Sequence, residues 1–154
     1  MLTIRNILHP TDFSRHSQWA FHLACSLARD HDARLVALHV APPPVYGILR
    51  AQVEEYDGLW KSLHQLQASG LEGQLEHWLR HGNPLAEILR VAGEIRSDLI
   101  VMGTHGRSGV GRLLMGSVAE EVVRRAPCPA LTVKTPFAES IPMPAEQLIR
   151  AASG

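Results

Sequence analysis

The chain has 154 residues, 45% of them hydrophobic and 19% charged, with 15 basic side chains balancing 15 acidic ones. That length suits one domain with one sizeable core. Zero formal charge excludes a global basic field that would draw nucleic acid or an anionic membrane surface, so any phosphate binding must be local. No apolar run reaches the length of a membrane span, and the first residues, Met1 to Asn6, alternate without a signal-peptide core. Only Cys25 and Cys128 are present, too few for a disulfide framework. A reducing, cytoplasmic setting is expected, with both thiols acting as small packed groups.

Ile4 to His9 reads as a first strand, broken by the segment from Pro10 to Ser14. A helix follows, with Trp19, Ala20, Leu23, Ala24, Leu27 and Ala28 at the 3.6-residue period and Ser14 as its N-cap. Arg34 to Val40 is a nearly continuous apolar run, which suits a parallel strand covered on both faces. Beyond the prolines 42–44, a second helix is expected from about Ile48 to Ala68, with Leu49, Val53, Tyr56, Trp60 and Leu63 on one face. Gln74 to Arg80 alternates and reads as an edge strand. Asn83 as N-cap with Pro84 at the first helical position starts a third helix, whose buried face is Leu85, Ile88, Leu89, Ala92 and Ile95. Leu99 to Met102 is a fourth strand. A helix from about Val118 and a strand from Ala130 to Val133 complete the domain, residues 1–134. Residues 135–154, with Pro136, Pro142 and Pro144, form a tail in which Ala145 to Ala152 could make a short helix. The β-α-β-α-β-α-β-α-β order predicts an α/β fold: one open five-stranded parallel sheet with helices on both faces.

In such sheets ligands sit beyond the C-terminal strand ends, at the switch in strand order. The loops there follow strand one (Pro10 to Phe13), strand two (Val40 to Pro44) and strand four (Gly103 to Gly116). The last carries five glycines, Gly103, Gly106, Gly109, Gly111 and Gly116, plus Arg107 and Arg112, and leads into a helix. Glycine lets backbone approach a ligand closely, and a helix N-terminus offers free N–H groups and the positive end of a dipole. Together these suit phosphate, at about 1.5–3 kcal/mol per charge-assisted hydrogen bond. Ser117 and Glu120 have capping-box spacing, so the hydroxyl of Ser117 could simply cap the helix. Asp12 is the one carboxylate placed where chemistry could occur; a turn role and a contact to a base, ribose or metal weigh equally from spacing.

Several other motifs are excluded. No Gly-Lys-Ser/Thr ends the loop, so it is not a Walker A loop, and Leu114 stands where a dinucleotide fingerprint needs Gly or Ala. Val110 occupies the last glycine position of a nucleophile elbow. Nine histidines raise the question of a metal, but His77 and His81 on one strand would lie about 13 Å apart. The others are scattered in sequence, and only His105, inside the glycine loop, sits at a candidate site. The pairs Glu54–Glu55 and Glu120–Glu121 point in different directions on helices and read as solvated faces.

With these residues in view, the chain resembles the universal stress protein family over residues 2–134. The most specific element is the nucleotide signature Gly-x2-Gly-x9-Gly-Ser/Thr, present here as Gly103, Gly106, Gly116 and Ser117. Ile7 to Ser14, Gly82 to Pro84 and Ala126 to Val133 are similar to the family's first strand and turn, helix start and last strand. The resemblance implies membership of the ATP-binding subgroup, with ATP, ADP or AMP as ligand and Mg²⁺ accompanying the nucleotide. It implies Pro10, Thr11, Asp12 and Val40 around adenine and ribose, and Gly103, Gly106, Arg107, Gly116, Ser117 and Val118 around ribose and phosphates. Met102, ending strand four, and Gly109, within the loop, complete the candidate set. It also implies a homodimer paired through strand five, Ala130 to Val133, and an apolar strand edge of that kind does tend to be covered; the tail from Thr135 is the other candidate cover.

The leading expectation is a nucleotide-dependent regulatory or stress-response dimer acting on protein partners that the sequence does not name. No general base for water is evident, though slow hydrolysis needs little beyond positioning and electrostatics. The alternatives are an enzyme, an ATPase or nucleotidyl transferase using Asp12 and His105, and a chaperone-like dimer whose glycine loop merely connects.

Overall fold

The computed structural model describes residues 3–45, 49–104 and 115–134. Its elements are β1 (Asn6–Pro10), α1 (Arg15–His31), β2 (Arg34–Ala41), α2 (Leu49–His64), β3 (Leu75–His81), α3 (Pro84–Glu94), β4 (Leu99–Gly103), α4 (Ser117–Arg125) and β5 (Ala130–Val133). The sheet is ordered β3-β2-β1-β4-β5 with every pairing parallel. The order reverses between β1 and β4, so their C-terminal ends flank the switch point. In register, Ile7 faces Leu99 and Leu8 faces Ile100.

Strand alternation divides the interior into two layers. Ile7, Leu35 and Val101 pack against Ala20, Phe21, Ala24 and Ala28 of α1. Leu8, Val36, Leu38 and Ile100 pack on the other face against Ile88, Val91, Ala92 and Ile95 around α3 and Ala119 and Val122 of α4. Burial on both faces explains why β2 reads as an unbroken apolar run.

The helix starts follow the sequence. The hydroxyl of Ser14 accepts the Ser17 N–H, and the Asn83 side chain accepts the Ala86 N–H with Pro84 at the first position. The face of α1 is rotated from the expected stripe: Ser17, Phe21 and Cys25 are buried with the alanines, whereas Trp19, Leu23 and Leu27 are only half-buried. β1 runs through Pro10, a residue later than expected, because the Pro10 position still pairs with Leu38. α2 ends at His64 rather than Ala68, where the Leu66 N–H reaches back three residues to Leu63, a tightened closing turn. Of its expected face Leu63 is fully buried, whereas Val53 and Tyr56 are 58% and 40% exposed. The edge strand β3 is held to β2 by a two-pronged ion pair, Arg34 Nε and Nη2 to Glu76 at 2.6 and 2.9 Å, with Trp78 donating to the same carboxylate.

Candidate functional site: a crevice at the switch point

The turn after β1 is rigidly built. Thr11 N–H donates to Leu38 O (2.8 Å), tying the turn to β2, and Thr11 Oγ1 accepts from Phe13 N–H (3.1 Å) and from Ser17 Oγ (2.7 Å). Asp12 Oδ1 accepts the Ser14 N–H at 2.9 Å, an Asx turn that launches α1. Asp12 therefore performs the turn role considered for it. Phe13 takes a positive φ of 62° and lies against the His39 ring, with centroids 4.5 Å apart. His39 Nδ1–H donates to Thr11 O at 2.8 Å, so β2 fixes the carbonyl of the same turn.

Across the crevice, β4 ends in Gly103. A Cβ there would meet the backbone carbon and Cβ of His16 at 2.9 Å. This glycine is thus required by the close approach of α1 to β4, a packing reason distinct from contact with a ligand. Thr104 is buried; its N–H bonds Val133 O (3.0 Å), and its own carbonyl takes the Gly116 N–H. Those bonds bring both ends of the glycine-rich connection together. Gly106, Arg107 and Gly109, with His105, Gly111 and Arg112, lie outside the described residues.

Gly116, not Ser117, is the N-cap of α4, and it makes no side-chain cap bond. The expected capping box is therefore not formed: Ser117 is already the first helical residue, one position too late to cap. Glu120 N–H bonds Gly116 O (2.9 Å), starting the helical ladder, so the N–H groups of Ser117, Val118 and Ala119 precede the first intrahelical bond. Ser117 is exposed at this end.

These pieces enclose a cavity of about 280 Å³. Nine candidate residues line it: Pro10, Thr11, Asp12, Val40, Met102, Gly103, Gly116, Ser117 and Val118. They come from four segments separated in sequence and include every candidate among the described residues. The lining also holds residues that the sequence reading missed, among them Ser17, His39, Pro84, Ile88 and Thr104. Thr104 follows Gly103 directly, and Pro84 was recognised only as a helix start, although its helix begins beside the same strand ends. The cavity floor is apolar (Leu38, Val40, Ile88, Met102), whereas the α4 end offers N–H donors and the positive pole of a helix dipole. Such a site suits a flat apolar ring at one end and an anion at the other. Among the described residues no group of three or more His, Cys, Asp or Glu is placed to hold a metal.

Beneath the turn, His9 is fully buried beside Phe21, with ring centroids 5.5 Å apart. Its Nδ1–H donates to Val101 O at 2.8 Å, and its Nε2 has no hydrogen-bond partner among the described residues. Burial pushes the imidazole down from 6.5 to about 4, against the opposing pull of the Val101 carbonyl and Asp12 and with a small push from His22.

A model of the universal stress protein family matches residues 3–134. The chain belongs to that family. A universal stress protein homologue of Staphylococcus haemolyticus is 35% identical over 151 residues, covering 92% of this chain and 90% of the relative. Among solved structures, the universal stress protein UspA of Lactobacillus plantarum is 29% identical with a TM-score of 0.69, over 84% of this chain and 97% of that one. A universal stress protein crystallised in complex with cAMP is 25% identical with a TM-score of 0.68, over 87% of this chain and 99% of that one. The single open parallel sheet with helices is the fold of these neighbours. Among the described residues no helix is long and apolar enough to cross a membrane.

Proposed function

We propose that the switch-point crevice binds an adenine nucleotide, with ATP as its ligand, and that the protein is a cytoplasmic regulatory dimer of the ATP-binding subgroup. The observation that carries this reading is the convergence of the turn after β1, the ends of β2 and β4 and the first turn of α4 on one cavity lined by Thr11, Asp12, Val40, Gly103, Gly116 and Ser117. The cavity's two ends match the two ends of a nucleotide: apolar side chains for the base, helix N–H groups for phosphate. The cAMP complex of a relative supports the same ligand class. In this reading Pro10, Thr11, Asp12 and Val40 hold the base and ribose, with Met102 beneath. Gly103, Gly116, Ser117 and Val118 hold the ribose and phosphates, joined by Gly106, Arg107 and Gly109 from the connecting loop. Mg²⁺ accompanies the phosphates and shields their charge.

The output is a nucleotide-dependent change in partner binding rather than rapid turnover, because Asp12, the one carboxylate lining the cavity among the described residues, already accepts the Ser14 N–H. The homodimer pairs through β5, an edge strand on which Leu131 is 39% exposed.

The experiment is mass spectrometry of nucleotide released from purified, denatured protein, with an ATP/Mg²⁺ titration of the emptied protein. Released adenine nucleotide, or saturable micromolar binding, is the expected result; the species released also tells whether ATP has been turned over. Absence of both refutes the reading and transfers the search to protein partners.

A further inference from the structure

Away from the crevice, α2 meets the edge strand through a row of aromatic rings. Tyr56 lies parallel to His81 with centroids 5.7 Å apart, Trp60 stacks on His64 at 5.1 Å, and His64 meets His77 at 5.0 Å. His64 is the last residue of α2 and is exposed; His77 lies within β3 and is half-buried. Thirteen positions separate them in sequence, so no spacing rule brings them together; only the docking of α2 on β3 does.

Both rings are held in a defined orientation by backbone. His64 Nδ1 bonds Trp60 O at 2.9 Å, and His77 Nε2 bonds Leu66 O at 2.7 Å. A carbonyl only accepts, so each bonded nitrogen carries the proton. In the neutral ring the other nitrogen, Nε2 of His64 and Nδ1 of His77, is then the one that bears the lone pair. Neither of those nitrogens has a hydrogen-bond partner among the described residues. An imidazole whose far N–H is fixed on a carbonyl is how proteins prepare histidine to ligate a metal.

The spacing agrees. Metal–nitrogen distances of about 2.0–2.1 Å, with the ring centre about 1.2 Å behind the nitrogen, put two imidazoles on one tetrahedral ion with centres about 5 Å apart. The observed separation is 5.0 Å.

We propose that His64 and His77 form a binding site for one divalent transition-metal ion of the zinc, nickel or copper(II) class, which clips the end of α2 to the edge strand. Imidazole is the ligand these borderline ions share. Among the described residues no third His, Cys, Asp or Glu joins the pair, so water completes the coordination. His77 also lines a cavity of about 290 Å³ together with Gln67 and Glu72. A two-histidine site of this kind is labile, exchanging with free metal, and it stabilises the fold in proportion to metal concentration.

The test uses the tag-free, nucleotide-free full chain and the metal ion alone. Calorimetric titration with Zn²⁺ is expected to show one equivalent bound at micromolar affinity. His64→Gln and His77→Gln should each weaken it by about tenfold or more, since even residues that only orient a ligand are worth about 10–100-fold; His81→Gln should leave it unchanged. Because Trp60 stacks on His64, Cu²⁺ bound there should quench Trp60 fluorescence, and Trp60→Phe should remove that quenching while keeping the Zn²⁺ isotherm. Far-ultraviolet circular dichroism of each variant, matched to wild type, excludes misfolding as the cause. Zn²⁺ binding that is indifferent to both single substitutions, or no saturable binding below millimolar metal, overturns the proposal.

Discussion

Acid should loosen this fold through one residue. His9 is 0% exposed and neutral, with its imidazole pushed from 6.5 to about 4 chiefly by burial. The unfolded chain takes up the proton first, so the contribution of His9 to stability is complete above pH 6.5 and is lost as pH falls toward 4. The loss from this side chain alone is about 2 kcal/mol by pH 5 and about 3 kcal/mol by pH 4, a large share of the roughly 5–15 kcal/mol that holds a domain folded. Urea melts at pH 7.5, 6, 5 and 4, compared with His9→Asn, isolate it. Asparagine does not titrate, and its amide can donate to Val101 O as Nδ1 does now. The wild type should lose about 2 kcal/mol more than the variant between pH 7.5 and pH 5. Parallel stability curves for the two proteins would refute the buried, neutral assignment.

Other outcomes follow from the same geometry. Gly103→Ala places a Cβ 2.9 Å from the backbone of His16; overpacking against main chain costs about 1–3 kcal/mol, measurable by urea denaturation, and a neutral result would mean that α1 yields easily. Gly116 has a φ of −59°, open to any residue, so Gly116→Val should leave the thermal midpoint within a few degrees while abolishing ATP binding in a calorimetric titration; full affinity would remove the α4 end from the site. Burial pushes the Cys25 thiol up to about 12, so at pH 8 it should resist a disulfide reagent in the native protein and react only after denaturation, whereas prompt labelling in a peptide map would show that α1 opens readily.

Much of the fold was legible because local signals agreed with one another. The Asn83–Pro84 start, the continuous apolar run of β2 and the regular alternation of strand and helix each had one physical reading, and the sheet fulfilled it. The α1 stripe failed by a fraction of a turn because Phe21 and the small residues turn inward against β1 and β4, leaving Trp19 and Leu23 half-buried at the margin. Alanines, Ser17 and Cys25 fit there, and Gly103 is part of the same tight contact. Ser117 failed as a cap because cap and first-turn positions differ by one residue, below what spacing resolves. At the site, the turn and strand-end residues were readable from topology. His39 was not: it sits inside a strand, and its importance arises from a ring contact with Phe13 and a bond to Thr11 that exist only after folding. The His64–His77 contact was hidden for the same reason.

Thr104 stands between the edge strand β5 and the rim of the crevice. On one side its N–H and hydroxyl grip the last residue of β5, Val133, and on the other its carbonyl holds the start of α4 through Gly116. The outer border of the sheet and the rim of the crevice are therefore anchored on one buried residue. A displacement of β5 by even a fraction of an ångström must either stretch those bonds or carry the head of α4 with it. The molecule is thus built so that traction at its edge is felt at its pocket, and so that a filled pocket stiffens the edge in return.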